Sequence, residues 1–288
     1  MASRVWCFTP NPVFETKIES TGGRAVLSAG GKAHNVARQL HCWGVPVVSV
    51  VPKPGPDWLH AARRDRVPLR QVPIRSAART GWAVVEAAGR RLDFFTEDPR
   101  WKGGDWNRCG LFLRRMVRSG DWLVVAGSVP SGAHPGWWRT LFLGLGKKGV
   151  RILVDGKGQL LREAMQAGVE WAKANLAEAE ESIQKKGASR CLEAMRNLSC
   201  GRSCLSITQG SRGLVLQAGK QRFSVRAPKI RLLDATGSGD VVTAALIYGI
   251  RKGWEIAKTA GFAVWAGSEN AARRNEVVAR LKGRGGFA

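Results

Sequence analysis

Histidine, acidic side chains and paired cysteines are scarce in this chain, and each shortage closes off a class of function. Only 4 His are present, at 34, 41, 60 and 134. None lies near Cys191, Cys200 or Cys204, and the 6 Cys contain no CxxC pair. A zinc site is therefore not expected, and scattered thiols of this kind suit a reducing compartment better than a disulfide framework. No run of about 18 apolar residues exists, so no membrane-spanning helix is expected. Met1–Thr9 lacks a long apolar segment, so no signal peptide is expected and the location reads as cytoplasmic. The Walker pattern GxxxxGK[ST] is absent, which excludes a P-loop enzyme, and neither HExxH nor GxSxG occurs.

Asp and Glu number 22 against 46 Lys and Arg, a formal net charge of +24. Such an excess raises the question of nucleic acid. The basic residues are spread along the whole chain, however. The densest clusters, Arg63–Arg64–Asp65–Arg66 and Arg273–Arg274, are short, and no zinc-finger, basic-zipper or RNA-recognition pattern accompanies them. A nucleic-acid partner is therefore not expected. A positive field also attracts small anions such as nucleotides and sugar phosphates.

Hydrophobic residues make up 44% of the 288, enough to fill a substantial core. Val5–Thr9 reads as a strand ended by Pro10-Asn11-Pro12. Thr16–Ile18 and Ala25–Ser28 read as short strands around Gly22-Gly23, Lys32–Trp43 as a helix and Val45–Val51 as a buried strand. Gly81–Glu86 and Arg90–Phe95, separated by Ala87-Ala88-Gly89, have hairpin chemistry and can pair with the early strands in a small separate sheet. From Asp105 the order becomes helix, strand, helix, strand, which indicates right-handed βαβ units and a parallel sheet covered on both faces. Gly144-Leu145-Gly146-Lys147-Lys148-Gly149 matches the dinucleotide pattern GxGxxG, but it closes a helix and opens a strand. It reads as a helix stop.

Three segments carry chemistry. Asp234-Ala235-Thr236-Gly237-Ser238-Gly239-Asp240 precedes an apolar helix. Glycines there leave backbone N–H groups at the positive end of the dipole, which makes an anion hole. Asp240 stands where the hole meets the helix. As an ionised carboxylate it can accept a proton from a substrate hydroxyl, although Asp234 or Asp240 as a simple N-cap fits equally. Gly30-Gly31-Lys32-Ala33-His34-Asn35 also precedes a helix, and its glycines permit close approach of a ligand to backbone. In Lys173-Ala174-Asn175-Leu176-Ala177-Glu178, Asn175 and Glu178 share a face of a first helical turn. They suit either a hydrated Mg²⁺ or a capping box.

In this order the motifs resemble the ribokinase-like (PfkB) carbohydrate kinases, over nearly the whole chain, and within them the 1-phosphofructokinase or tagatose-6-phosphate kinase type. Besides the three segments above, the resemblance rests on Asn11-Pro12-Val13-Phe14-Glu15, on Ala126-Gly127-Ser128-Val129-Pro130-Ser131-Gly132 and on Thr208-Gln209-Gly210-Ser211-Arg212-Gly213. It implies an α/β three-layer sandwich with a mostly parallel central sheet. It implies one kinase domain over residues 1–288 with a β lid from about 12–28 and 68–97. The implied activity is ATP-dependent phosphorylation of a sugar phosphate hydroxyl, of the fructose 1-phosphate, fructose 6-phosphate or tagatose 6-phosphate class. Asp240 would be the catalytic base, and Gly237, Ser238 and Gly239 the anion hole. Glu15, Gly31, Lys32, Asn35, Arg79 and Arg24 would bind the sugar or its phosphate. Thr208, Gly210 and Gly213 would touch ATP, Asn175 and Glu178 would position Mg²⁺ through water, and Asp234 would help hold a monovalent cation such as K⁺. A homodimer through the lid is also implied.

The chain departs from the family pattern at Glu15, usually Asp, at Ala33, usually Gly, at Ser238, usually Ala, and at Gly81 and Ala83, where polar lid residues are usual. These positions leave open a kinase for an unphosphorylated sugar or nucleoside, and a non-catalytic sugar- or nucleotide-binding regulator.

Overall fold

A computed structural model describes residues 3–19, 25–76, 78–85 and 91–273. In chain order the elements are β1 (Val5–Phe8), β2 (Val13–Glu19), β3 (Ala25–Gly30), α1 (Lys32–Cys42), β4 (Val47–Lys53), α2 (Pro56–Arg63), β5 (Leu69–Arg75), β6 (Arg79–Val85) and β7 (Arg91–Phe95). There follow α3 (Gly103–Met116), β8 (Trp122–Ala126), α4 (Trp137–Lys147), β9 (Arg151–Asp155), α5 (Gly158–Ala167), β10 (Trp171–Asn175), α6 (Leu176–Ile183) and α7 (Ala188–Leu198). The last are β11 (Cys204–Thr208), β12 (Leu214–Ala218), β13 (Gln221–Val225), α8 (Ser238–Arg251) and α9 (Ile256–Ala271).

Nine strands form one sheet in the order β13-β12-β11-β10-β9-β8-β1-β4-β5. From β11 to β5 the neighbours run parallel, and β12 and β13 add an antiparallel edge. The inner strands are predominantly apolar because both faces are covered. Alternation then divides them between two cores. Val5 and Cys7 of β1, and Trp122, Val124 and Ala126 of β8, face Val36 and Leu40 of α1, Val241 of α8 and Phe262 of α9. Trp6, Phe8, Leu123 and Val125 face Trp106 of α3, Trp138 of α4, Leu160 of α5 and Leu192 of α7. The result is the three-layer α/β sandwich expected from the alternating pattern.

The second sheet has the order β3-β2-β6-β7. Its strands are those expected to form the lid, but its extent is narrower than 12–28 and 68–97. Residues 69–75 are β5, which pairs with β4 at the edge of the large sheet. Val72 and Ile74 belong to the main core there, on the side of α3. Helix α2 was also not anticipated. Gly55 caps it, Trp58 is buried in it, and the Trp58 indole donates to the Gly30 carbonyl at 3.0 Å, so the helix braces the end of β3.

The GxGxxG match lies where α4 stops and β9 begins, as a helix end. Its Lys148 ammonium donates to the carbonyls of Arg114 and Val117 at the end of α3. All six cysteines are free. Cys7, Cys109 and Cys191 are buried, and Cys42 and Cys200 are exposed.

One glycine outside the anion-hole loop is dictated by packing. Gly213 has φ 93° and ψ −135°, and a Cβ there would stand 2.0 Å from the Val225 carbonyl oxygen. Gly213→Ala must therefore separate β12 from β13 or strain the backbone. We expect a loss of about 3 kcal/mol, seen as a lower midpoint in urea unfolding with the m-value unchanged.

Candidate active site

The large sheet changes direction at β1. The chain runs outward from β1 to β4 and β5, then returns to place β8 on the other side of β1. In open α/β sheets a crevice forms at such a point, outside the carboxyl ends of the strands. Here Asn11, just after β1, donates to Ser128, just after β8, at 3.0 Å. The small sheet begins at Val13, two residues after Asn11, and Val13 pairs with Gly30 just before α1 starts. Gly31 has φ 134° and faces Thr9 so closely that a Cβ would lie 2.5 Å from the Thr9 methyl.

Helix α8 brings the principal carboxylate. The Asp234 side chain closes an Asx turn by accepting from the Thr236 N–H at 2.9 Å and from its hydroxyl at 2.5 Å. Asn270 of α9 donates to the Thr236 carbonyl at 2.9 Å and to the Ser238 hydroxyl at 3.1 Å. The Ala271 carbonyl accepts from the Leu233 and Asp234 N–H groups. The loop is thereby pinned to α9, and the N-cap is Gly237, left-handed at φ 73° with no side-chain cap. Neither Asp234 nor Asp240 is the cap. Asp240 sits in the first turn, 6% exposed.

Burial pushes the Asp240 pKa from 3.8 up to about 6, against the opposing pull of Lys32 and Asn35. The sequence suggested a carboxylate that simply stays ionised. The structure instead shows one with useful basicity near neutrality. Asn35, expected at the sugar, donates to Asp240 Oδ2 at 2.8 Å and so orients the carboxylate.

Four further charges surround it. Lys173 of β10 and Asp155 at the end of β9 form a fully buried pair at 2.8 Å. Thr243, one turn after Asp240, donates to the same Asp155 oxygen at 2.6 Å. Burial opposes the Asp155 charge, but Lys173 and Lys32 outweigh it and hold the carboxyl below its usual range. Lys32 pairs with Glu178 at 2.6 Å. Burial works against its charge too, yet Asp155, Glu178 and Asp240 together raise its pKa above the ordinary lysine value.

Asn175 and Glu178 form a reciprocal capping box, with Glu178 N–H donating to Asn175 Oδ1 at 2.8 Å and Asn175 N–H to Glu178 Oε2 at 3.0 Å. The capping reading is thus realised. Among the described residues no group of three or more His, Cys, Asp or Glu could hold a metal by itself.

On the small sheet, Glu15 and Lys17 of β2 alternate onto the same face. Lys17 forms an ion pair with Asp234 Oδ2, and both side chains are nearly buried. With Lys17 on one oxygen and Thr236 on the other, Asp234 does not fit the monovalent cation expected there. Burial opposes the Asp234 charge, and the Lys17 and Thr236 hydrogen bonds overcome it, so its pKa lies below the usual carboxylate value. Arg79, at the start of β6, pairs with Asp98 at 2.8 Å and donates to Ser128 at 3.1 Å. Arg24 lies outside the described residues. Thr208 ends β11. Gly210 opens a single 3-10 turn whose loop closes on itself through Gln209 N–H to the Gly213 carbonyl at 2.8 Å.

Buried side-chain atoms without a hydrogen-bond partner include Thr9 Oγ1, Asn11 Oδ1, Arg79 Nε and Asp155 Oδ1. Each lies at the carboxyl end of a central strand or at the start of β6. Unsatisfied polar atoms cost free energy, and a polar ligand in the crevice would offset it.

The family model for pfkB carbohydrate kinases matches residues 4–278. The chain belongs to that family. The ATP-dependent 6-phosphofructokinase isozyme 2 of Mycobacterium tuberculosis is 24% identical over 238 residues, 80% of this chain and 70% of that one. The 1-phosphofructokinase of Rhodobacter capsulatus is 29% identical over 163 residues, 55% of this chain and 52% of its own. Among solved structures, phosphofructokinase-2 from Escherichia coli in complex with potassium superposes with a TM-score of 0.81 at 20% identity, covering 94% of this chain and 93% of that one.

This carbohydrate kinase has charged groups at its centre that the sequence reading did not select. Asp155 ends the apolar run of β9, Lys173 interrupts the apolar run of β10, and Lys17 sits two residues after Glu15. A lone charge inside an otherwise buried strand is the signal that could have found the first two. Lys17 had no such signal, because its partner is 217 residues away.

The Asp240 pKa has a sign with two consequences for the kinase. A proton acceptor must be ionised, so if Asp240 serves as the base, log kcat/KM should fall with unit slope as pH drops below about 6. Folding raises this pKa, so its contribution to stability is full below 3.8 and is lost as pH rises through about 6. Asp240→Asn should therefore stabilise the fold at pH 8, by on the order of 2 kcal/mol. Urea unfolding at pH 5 and pH 8 checks it, and a wild type as stable as the variant at both would overturn the burial argument.

Proposed function

We propose that this kinase transfers the γ-phosphoryl group of ATP to a hydroxyl of a sugar phosphate, with Asp240 as the base. The observation that carries the reading is the buried Asp240 carboxylate, oriented by Asn35 at the end of an uncapped helix loop. The acceptor O–H gives its proton to Asp240, its oxygen bonds to the γ-phosphorus, and the bond to the β–γ bridging oxygen breaks to release ADP. Negative charge spreads over the equatorial oxygens as this happens. Gly237 and Gly239 would present N–H groups to that charge beside Ser238, whose own N–H donates to the Ala235 carbonyl at 3.2 Å, and Lys173 adds a cation beside Gly239.

Mg²⁺ would supply charge neutralisation between the phosphates of ATP. Asp155, with its unpartnered Oδ1, and Glu178 with Asn175 are the oxygens suited to it, for an ion that keeps several of its waters. Thr208, Gly210 and Gly213 would border the nucleotide. Glu15, Gly31 and Lys32 would meet the sugar, and Arg79 its phosphate.

The small sheet would cover the acceptor. Its inner face carries Glu15 and Lys17. On its outer face Thr16 pairs with Leu27 and Trp82, and Trp82 with Phe94. Leu27, Trp82 and Phe94 are 45%, 42% and 56% exposed. A contiguous apolar sheet face marks an interface, and a second copy meeting it face to face would make the lid dimer. Trp82→Glu with Phe94→Glu should yield a monomer by analytical ultracentrifugation. A dimer that survives both changes would place the interface elsewhere.

One observation favours an unphosphorylated acceptor: Arg79 is already paired with Asp98, and a phosphate would have to share the guanidinium. ADP release with Mg-ATP against fructose 1-phosphate, fructose 6-phosphate, tagatose 6-phosphate, ribose and nucleosides separates the two. We expect turnover with one phosphosugar, a loss of about a thousandfold in Asp240→Asn, and a KM for that sugar raised at least about tenfold in Arg79→Ala. Turnover confined to ribose or a nucleoside would replace the phosphosugar reading.

A further inference from the structure

Asp234 lies in the loop that forms the anion hole, and a carboxylate in such a loop is suited to a small monovalent cation. In this chain both carboxylate oxygens already have partners. One oxygen accepts from the Thr236 N–H and hydroxyl, and the other from the Lys17 ammonium. The pair is nearly buried, with side-chain exposures of 13% and 9%, and water does not compete strongly for it. The loop needs no further ion for order, since Asn270 and the Ala271 carbonyl hold it from the other side.

We propose that the Lys17 ammonium takes the place of a monovalent metal cation in this kinase, so that its catalysis is independent of K⁺. Lys17 is a positioning residue. Its charge neutralises Asp234 three residues before Gly237, leaving the anion hole free of a competing negative charge. An ammonium and a potassium ion carry the same charge, but their delivery differs. Potassium comes from solution, whereas Lys17 is built into β2, the strand that also carries Glu15. The cation therefore arrives at the loop only when the small sheet lies over the crevice, which ties the positive field to closure. The chemistry also explains a sequence choice: a lysine on the inner face of a covering sheet has no reason to be nearly buried unless it meets a fixed anion.

The inference rests on the kinase reading for its effect on rate, but the binding of the cation can be tested without any acceptor. The melting temperature of the wild type is measured in potassium, sodium and tetramethylammonium chlorides at matched ionic strength, and crystals are soaked in thallous salt for anomalous scattering. We expect no potassium-specific stabilisation and no thallium peak at Asp234. Lys17→Met should then acquire both. Its kcat/KM in tetramethylammonium should fall at least about tenfold and recover in part with potassium or methylammonium. Potassium-specific stabilisation of the wild type, or thallium bound at Asp234, would overturn the proposal even if Lys17→Met fails to fold. Absence of turnover with every acceptor, alongside potassium-indifferent melting, would fault the substrate assignment and leave the Lys17 substitution standing.

Discussion

The structure depends on keeping a carboxylate buried and still able to ionise. Asp240 is placed where burial alone would neutralise it, and the elements around it supply the compensation. Helix α1 contributes Lys32 and Asn35, β10 contributes Lys173, and α8 contributes its own amino end. The balance is partial. The pKa settles near 6, between the value of a free carboxylate and that of a fully desolvated one. A base with that pKa is ionised at neutral pH and holds a proton well enough to take one from an alcohol. Removing either of the cations shifts the balance toward the protonated acid. The positive groups therefore set its ionisation as much as its own oxygens do.

The same accounting explains why the site spans so much of the chain. Asp155 needs Lys173 and Thr243, Lys32 needs Glu178, and Glu178 is fixed by its capping box with Asn175. Asp155 and Asn175 stand at the carboxyl ends of strands and Lys32 and Glu178 at the starts of helices, with Lys173 inside β10 and Thr243 one turn into α8. At those strand and helix ends backbone dipoles and room for a ligand coincide. The buried pairs add little net stability, because desolvation opposes them. Their value lies in fixing charges before a phosphate arrives, so that no reorganisation is needed at the moment of transfer.

Most of the fold was legible because its signals are local. Uninterrupted apolar runs such as Leu123–Ala126 mark strands covered on both faces, and the Gly237–Asp240 segment announces a helix start with its own chemistry. What escaped was decided by distant neighbours. Residues 69–75 alternate like a lid strand, and only the vacant edge of β4 draws them into the large sheet. Helix α2 is short, and its reason to exist is the Trp58 contact beneath Gly30. In the site, the motif residues Asp240, Lys32 and Asn35 were visible, but the hydrogen bond from Asn35 to Asp240 was not. No spacing rule relates positions 35 and 240.

The small sheet carries the clearest example of one element serving two constraints. Period-two alternation sends Glu15 and Lys17 inward and Thr16 outward, beside Leu27 and Trp82. The inner face carries the charge that meets Asp234. The outer face is apolar, and water is a poor permanent neighbour for it. A sheet of four short strands has no second layer of its own. Where it is not braced by α2, it must gain stability from whatever lies against its two faces. The inward charges then hold it against the crevice only when their counter-charges are in place. Lys17 and Asp234 thus hold the small sheet against the loop before α8 as well as balancing its charge.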